Sequence, residues 1–227
     1  MEQSRKKIIL LVAGLSIGLF FMGALRYSSS HQNILTPISN YATFGYILIS
    51  VVFTILLFRA GLPLNHFGFG IRPDVKQLLL AITAIALLRL FAFGVEPLIE
   101  GLVGSSRNLE RFSEVEGSLS SLIGLLIMSW TIAAFGEEFI YRIVLMRGLS
   151  FIFNDTRHAQ TAAIITQALM FGLIHAYQGP AGIIGSTFSG LVFGTVTIAS
   201  RWSIWPSAIA HGTNNTIGII ALYMGNT

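Results

Sequence analysis

The run Leu119–Met146, LSSLIGLLIMSWTIAAFGEEFIYRIVLM, decides how the chain is read. Leu119 to Gly136 carries no charge and is about as long as the helix that crosses a bilayer. Glu137, Glu138 and Arg142 then follow directly. A carboxylate at bilayer depth costs a few kcal/mol or more unless it is partnered, so two adjacent acids here need a reason. On a helix Glu138 and Arg142 are four apart with the acid on the N-terminal side, the favourable order for an ion pair. Glu137 lies about 100° away around the axis, at no such spacing to the arginine.

Working outward, six more apolar runs stand between clusters of charge: Ile8–Leu25, Tyr41–Phe58, Gln77–Val95, Ala159–Ala176, Gly179–Ser200 and Trp202–Met224. The expected fold is therefore all-α, a polytopic transmembrane helical bundle of about seven spans. Composition agrees, because 53% of the 227 residues are hydrophobic and only 11% are charged, against roughly 25% charged in a soluble domain. A water-soluble globular protein is excluded. The absence of cysteine excludes disulfides and thiolate chemistry. The net charge of +4 does not point to nucleic acid, since no basic run exceeds Arg5, Lys6, Lys7. The first run is expected to be a retained anchor rather than a signal peptide, for want of a small-residue cleavage site.

If the N-terminus is cytoplasmic, that side receives Arg5, Lys6, Lys7, Arg59, Arg72, Lys76, Arg142, Arg147, Arg157 and Arg201, and the other only Arg26, Arg107 and Arg111. Positive charge favours the cytoplasmic side, so the N-terminus is expected inside; the location expected for this integral protein is a bacterial plasma membrane. Residues 1–118 read as N-terminal membrane helices ending in an outer loop, Glu96–Glu116, and residues 119–227 as the helical core that carries the chemistry. In the sixth run Gly182, Ser186, Gly190 and Gly194 make a small-residue ridge against which a neighbouring helix can pack closely.

Two further runs hold polar groups where lipid or packing should be. His175 follows Phe171 by one turn, and His211 precedes Asn215 by one turn inside the last run. Packing glue between helices would account for each alone. Together an acid, two imidazoles and a carboxamide on three helices supply a general base, candidate metal ligands and oxyanion donors. Arg147 and Arg201 as interface markers put Glu137 and His211 each about 15 Å deep, so they can meet in the half of the bundle nearer the basic end. His175, about 27 Å from Arg157, comes out too deep for the same level.

GEEFIYR (Glu137, Glu138, Arg142), FGLIH (Phe171, His175) and HGTNN (His211, Asn215), in this order on separate spans, resemble the CPBP family of intramembrane proteases, which takes in type II CAAX prenyl endopeptidases and bacteriocin-immunity proteins. The likeness covers about Leu119 to Ala221. It implies an intramembrane endopeptidase in which Glu137 and His175 activate a water, His211 and Asn215 hold the oxyanion, and Glu138, Arg142 and Phe171 support the site. The partners it implies are the bilayer and a peptide or membrane-protein substrate. Zn²⁺ is a candidate cofactor, with Glu137, His175 and His211 as acceptable ligand types, although the HExxH spacing is absent. The alternatives are a non-catalytic immunity or binding protein of the same fold and a proton-coupled transporter, the latter weakened by the lack of internal repeats.

Overall fold

The computed structural model describes residues 2–31, 36–62, 68, 70 and 73–226, so Arg72 lies outside the described residues, as does the side chain of Arg26. All seven apolar runs are helical. They give α1 (Glu2–His31), α2 (Thr36–Arg59), α3 (Val75–Gly94), a rod from Leu119 to Ile152, α7 (Arg157–Leu173), α8 (Gly179–Ala199) and α9 (Trp205–Tyr223). Within the rod, α5 (Leu119–Met128) and α6 (Met146–Ile152) flank π-helical stretches at Ser129–Glu137 and Phe139–Leu145. Among the described residues the only extended pairing is a single bridge between Gly68 and Ser203.

Among the described residues four helical stretches are long and apolar enough to cross a membrane: Gln3–Leu25, Val75–Gly94, Leu119–Ile152 and Ala176–Ala199. Large apolar side chains stand on their outer faces, Phe93 at 78% exposure among them, as expected where lipid replaces water as the solvent. The last run begins later than its sequence suggests, because Arg201 and Trp202 take left-handed backbone angles in the turn before α9. The Glu96–Glu116 segment is not all loop. It forms α4 (Glu96–Val103), too short to span, and a 3₁₀ turn at Glu110–Val115.

Contacts at the helix ends show the chain running up and down. At one end Ser4 bonds the Ala60 carbonyl, Arg5 the Ile152 carbonyl, and Lys76 the Ala199 carbonyl. At the other, the Asn108 amide donates to Gln178 and the Gly117 amide to Tyr223. The first is the basic end, where Arg147 pairs with Asp155 beneath Trp202. Arg142 does not belong to it: the side chain is fully buried inside the bundle, so it contributes nothing to the interfacial charge bias.

Small residues set the spacing. Gly14 faces Phe53, Gly18 faces Ile49 and Gly45 faces Met22, each so close that a Cβ would collide or nearly so, which locks α1 and α2 as an antiparallel pair. On the α8 ridge a Cβ at Gly190 would meet Ala168 Cα at 2.8 Å, and one at Gly194 would meet Gln167 at 2.7 Å. That is the close helix approach the ridge predicts, and α7 is the neighbour. One apolar cluster joins α1 and α2 to the rod and α7 through Leu15, Leu57, Tyr141, Leu145 and Phe171. Another joins α3 to α8 and α9 through Ala84, Leu88, Phe193 and Ala210.

Candidate active site

Glu138 and Arg142 are both wholly inaccessible. The guanidinium meets the carboxylate in a fork, Nη2 donating to Oε1 at 3.0 Å and Nε lying 3.0 Å from Oε2, so the sequence spacing does yield the ion pair. Its desolvation is offset by further partners. Arg142 Nη1 donates to Gln167 Oε1 at 2.7 Å, and Gln167 in turn donates to the Gly190 carbonyl of α8 at 2.8 Å. The Arg142 guanidinium lies 4.6 Å from the centre of the Phe171 ring, a favourable cation–π distance.

His211 reaches this pair from α9, its Nδ1 lying 2.9 Å from Glu138 Oε1. A carboxylate oxygen only accepts, so Nδ1 carries a proton and Nε2 is the ring nitrogen left for other work. The Phe193 ring stacks on the imidazole with centroids 5.1 Å apart. His175 sits just past the end of α7, its Nδ1 2.7 Å from the Phe171 carbonyl. That carbonyl fixes the tautomer in the same way, so Nε2 is the ring nitrogen that can accept a hydrogen bond. Phe171 therefore does more than wall the site: its ring touches His175 at 4.7 Å and His211 at 6.0 Å between centroids.

Glu137, 7% exposed, lines a cavity of about 620 Å³ together with His175, His211 and Asn215. All four candidate site residues thus share one cavity, and Phe171 is in its wall. Its position differs from the expected one. The cavity runs away from the basic end as far as Arg107, Arg111 and Phe112, because residues 104–117 fold back over the bundle and tie down at Gln178 and Tyr223. This elongation accommodates His175: it stands at the far end of α7, as its depth requires, yet still borders the cavity.

The metal candidates fare differently. Among the described residues no group of three or more His, Cys, Asp or Glu side chains is disposed to hold a metal ion. Glu137, His175 and His211 are not a preformed zinc site.

Residues 119–217 match the family model described as Type II CAAX prenyl endopeptidase Rce1-like. Over these residues the chain is similar to the Rce1-like family. The match begins at the N-terminus of the rod and ends just beyond Asn215, so the Rce1-like domain contains every candidate site residue. It carries a CAAX-type intramembrane protease fold, and the family is one of proteases. No curated protein and no solved structure matches the chain.

Three contributors escape a reading by hydropathy. Gln167, fully buried within an apolar run, links Arg142 to α8. Arg89 breaks the third run and lines the cavity, donating to Asn214; a charge in mid-span is itself the signal that would have found it. Trp130 holds the rod to α9, donating to Thr216 at 3.1 Å and lying over Gly212, where a Cβ would come within 2.6 Å of the ring.

Proposed function

We propose that the protein is a membrane-embedded endopeptidase using a glutamate-activated water. The observation that carries this reading is the opening of Glu137, His175, His211 and Asn215 onto one cavity, with Glu138 held behind them in a fully buried pair.

Glu137 takes a proton from a water that also donates to His175 Nε2. The hydroxide adds to the scissile carbonyl carbon and the C=O electron pair moves onto oxygen. When His211 carries both ring protons, Nδ1–H is occupied by Glu138 and Nε2–H is free to donate to that oxyanion, beside the Asn215 amide. The negative charge that Glu137 gives up on taking the proton reappears on the oxyanion, so the two cations, Arg142 and His211, still face two anions, Glu138 and the oxyanion. Collapse of the tetrahedral adduct expels the amine, which receives the proton held on Glu137. Glu138 acts through His211 and Arg142 and is a positioning residue. No step requires a metal.

The substrate is a peptide segment within or at the membrane, and the basic end of the bundle faces the cytoplasm. Comparing new peptide termini in membranes of cells carrying the wild type or Glu137→Ala at equal abundance tests the activity. Termini present only with the wild type are expected; identical sets would refute it.

A further inference from the structure

Among the described residues four charged side chains line the cavity: Glu137 at one level and Arg89, Arg107 and Arg111 towards the other end. The three arginines are not equivalent. Arg107 is neutralised by Glu96, whose Oε1 is 3.1 Å from its Nε, and lies on α8 so closely that a Cβ at Gly185 would come within 2.1 Å of it. That is a structural pair. Arg89 instead donates to the neutral amide of Asn214, and its buried Nε has no acceptor among the described residues. The exposed Arg111 lies over the rings of Tyr177 and Phe112, at 4.8 and 5.1 Å. Among the described residues neither Arg89 nor Arg111 has an acid within ion-pair distance. Glu96 acts on Arg89 from a distance but is itself paired with Arg107, so an arginine on a membrane helix that faces the cavity without an acid in contact favours the arrival of an anion.

We propose that Arg89 and Arg111 form a subsite for a carboxylate of the peptide substrate, beyond the scissile bond on the side away from the basic end. This rests on the peptidase reading above. A guanidinium fork matches a carboxylate with two parallel hydrogen bonds, which a point-like ammonium does not. The spacing suits a peptide. Arg89 holds Asn214, three residues along α9 from His211 and so about 5 Å along the axis. Tyr177 under Arg111 lies 5.8 Å, ring to ring, from His175. An extended residue spans about 3.3 Å, so a carboxylate one to a few residues past the cleaved bond reaches both. The carboxylate belongs either to the C-terminus or to an Asp or Glu side chain.

The test uses full-length Glu137→Gln protein in detergent, to remove turnover, and three probes: acetyl-Leu-Ala-Leu-Leu with a free C-terminal carboxylate, the same peptide as its carboxamide, and acetyl-Leu-Ala-Leu-Asp carboxamide. At least one acidic peptide is expected to bind about tenfold tighter than the neutral one, in keeping with charge-assisted hydrogen bonds, and which one does identifies the source. Adding Arg89→Gln or Arg111→Gln should bring that ratio towards one. Arg111 is exposed, so its variant remains informative if Arg89→Gln misfolds. Equal affinity for all three peptides, no binding of any, or an acid preference that survives Arg111→Gln overturns the subsite. Cleavage by the Glu137→Gln protein would overturn the role of Glu137 as the base instead, and the binding ratios would still report on the arginines.

Discussion

Glu138→Gln is the substitution whose consequence follows most directly from the packing. Among the described residues it removes the only charge paired with Arg142, in a spot where both residues are fully buried. Breaking a buried ion pair from one side costs about 3–5 kcal/mol, because the remaining charge stays desolvated without compensation. The glutamine oxygen can still accept from Arg142 or His211, which places the expected loss near the lower figure, about 3 kcal/mol. For a chain of this size 1 kcal/mol moves Tm by about 2–4 °C, so a fall of about 6–12 °C is expected. Glu137→Gln changes a group that borders the cavity, where water can solvate the amide, and should shift Tm by less than about 4 °C. Both are read by thermal unfolding of the purified proteins in one detergent. A Glu138→Gln protein as stable as Glu137→Gln would refute the buried-pair reasoning.

Gly190→Val should drive a side chain into Ala168, separating α7 from α8 and displacing the Gln167 bond that anchors Arg142, for a loss of about 1–3 kcal/mol in denaturant titration. Gly124→Ala, with nothing within 4 Å of the new methyl, should be at least as stable as the wild type in the same titration. Reporter fusions after Lys7 and at Thr227 should report opposite sides of the membrane, the first cytoplasmic, as the crowding of basic residues at one end of the bundle requires.

What could be read from sequence was whatever broke the lipid rule locally. Glu137, Glu138 and Arg142 were visible because acids interrupt an apolar run, and the Glu138–Arg142 pair because four residues make one helical turn. The bond from His211 to Glu138 joins residues 73 apart, and no periodicity encodes it; only the equal depth of the two residues hinted at it. Arg142 looked interfacial because charge is ordinarily interfacial, whereas the rings of Phe171 and Phe193 and the amide of Gln167 make a buried berth for it. The far wall of the cavity was hidden for a different reason. Glu96–Glu116 has the Gly, Ser and charge content of an outer loop, yet its return over the bundle depends on main-chain bonds from Asn108 and Gly117 to distant carbonyls, to which side-chain composition is blind. The π-helical winding around Glu137 left no mark in the residue pattern either.

The claim on which the rest depends is that Glu137 supplies the base, and it is tested by measuring cleavage of a peptide spanning one of the wild-type-dependent termini by purified wild type and Glu137→Gln at matched folded concentration. General-base catalysis accounts for about 10²–10⁴-fold in rate, so kcat should fall at least a hundredfold while thermal stability is kept. A Glu137→Gln enzyme that is folded and cuts at close to the wild-type rate would contradict the account.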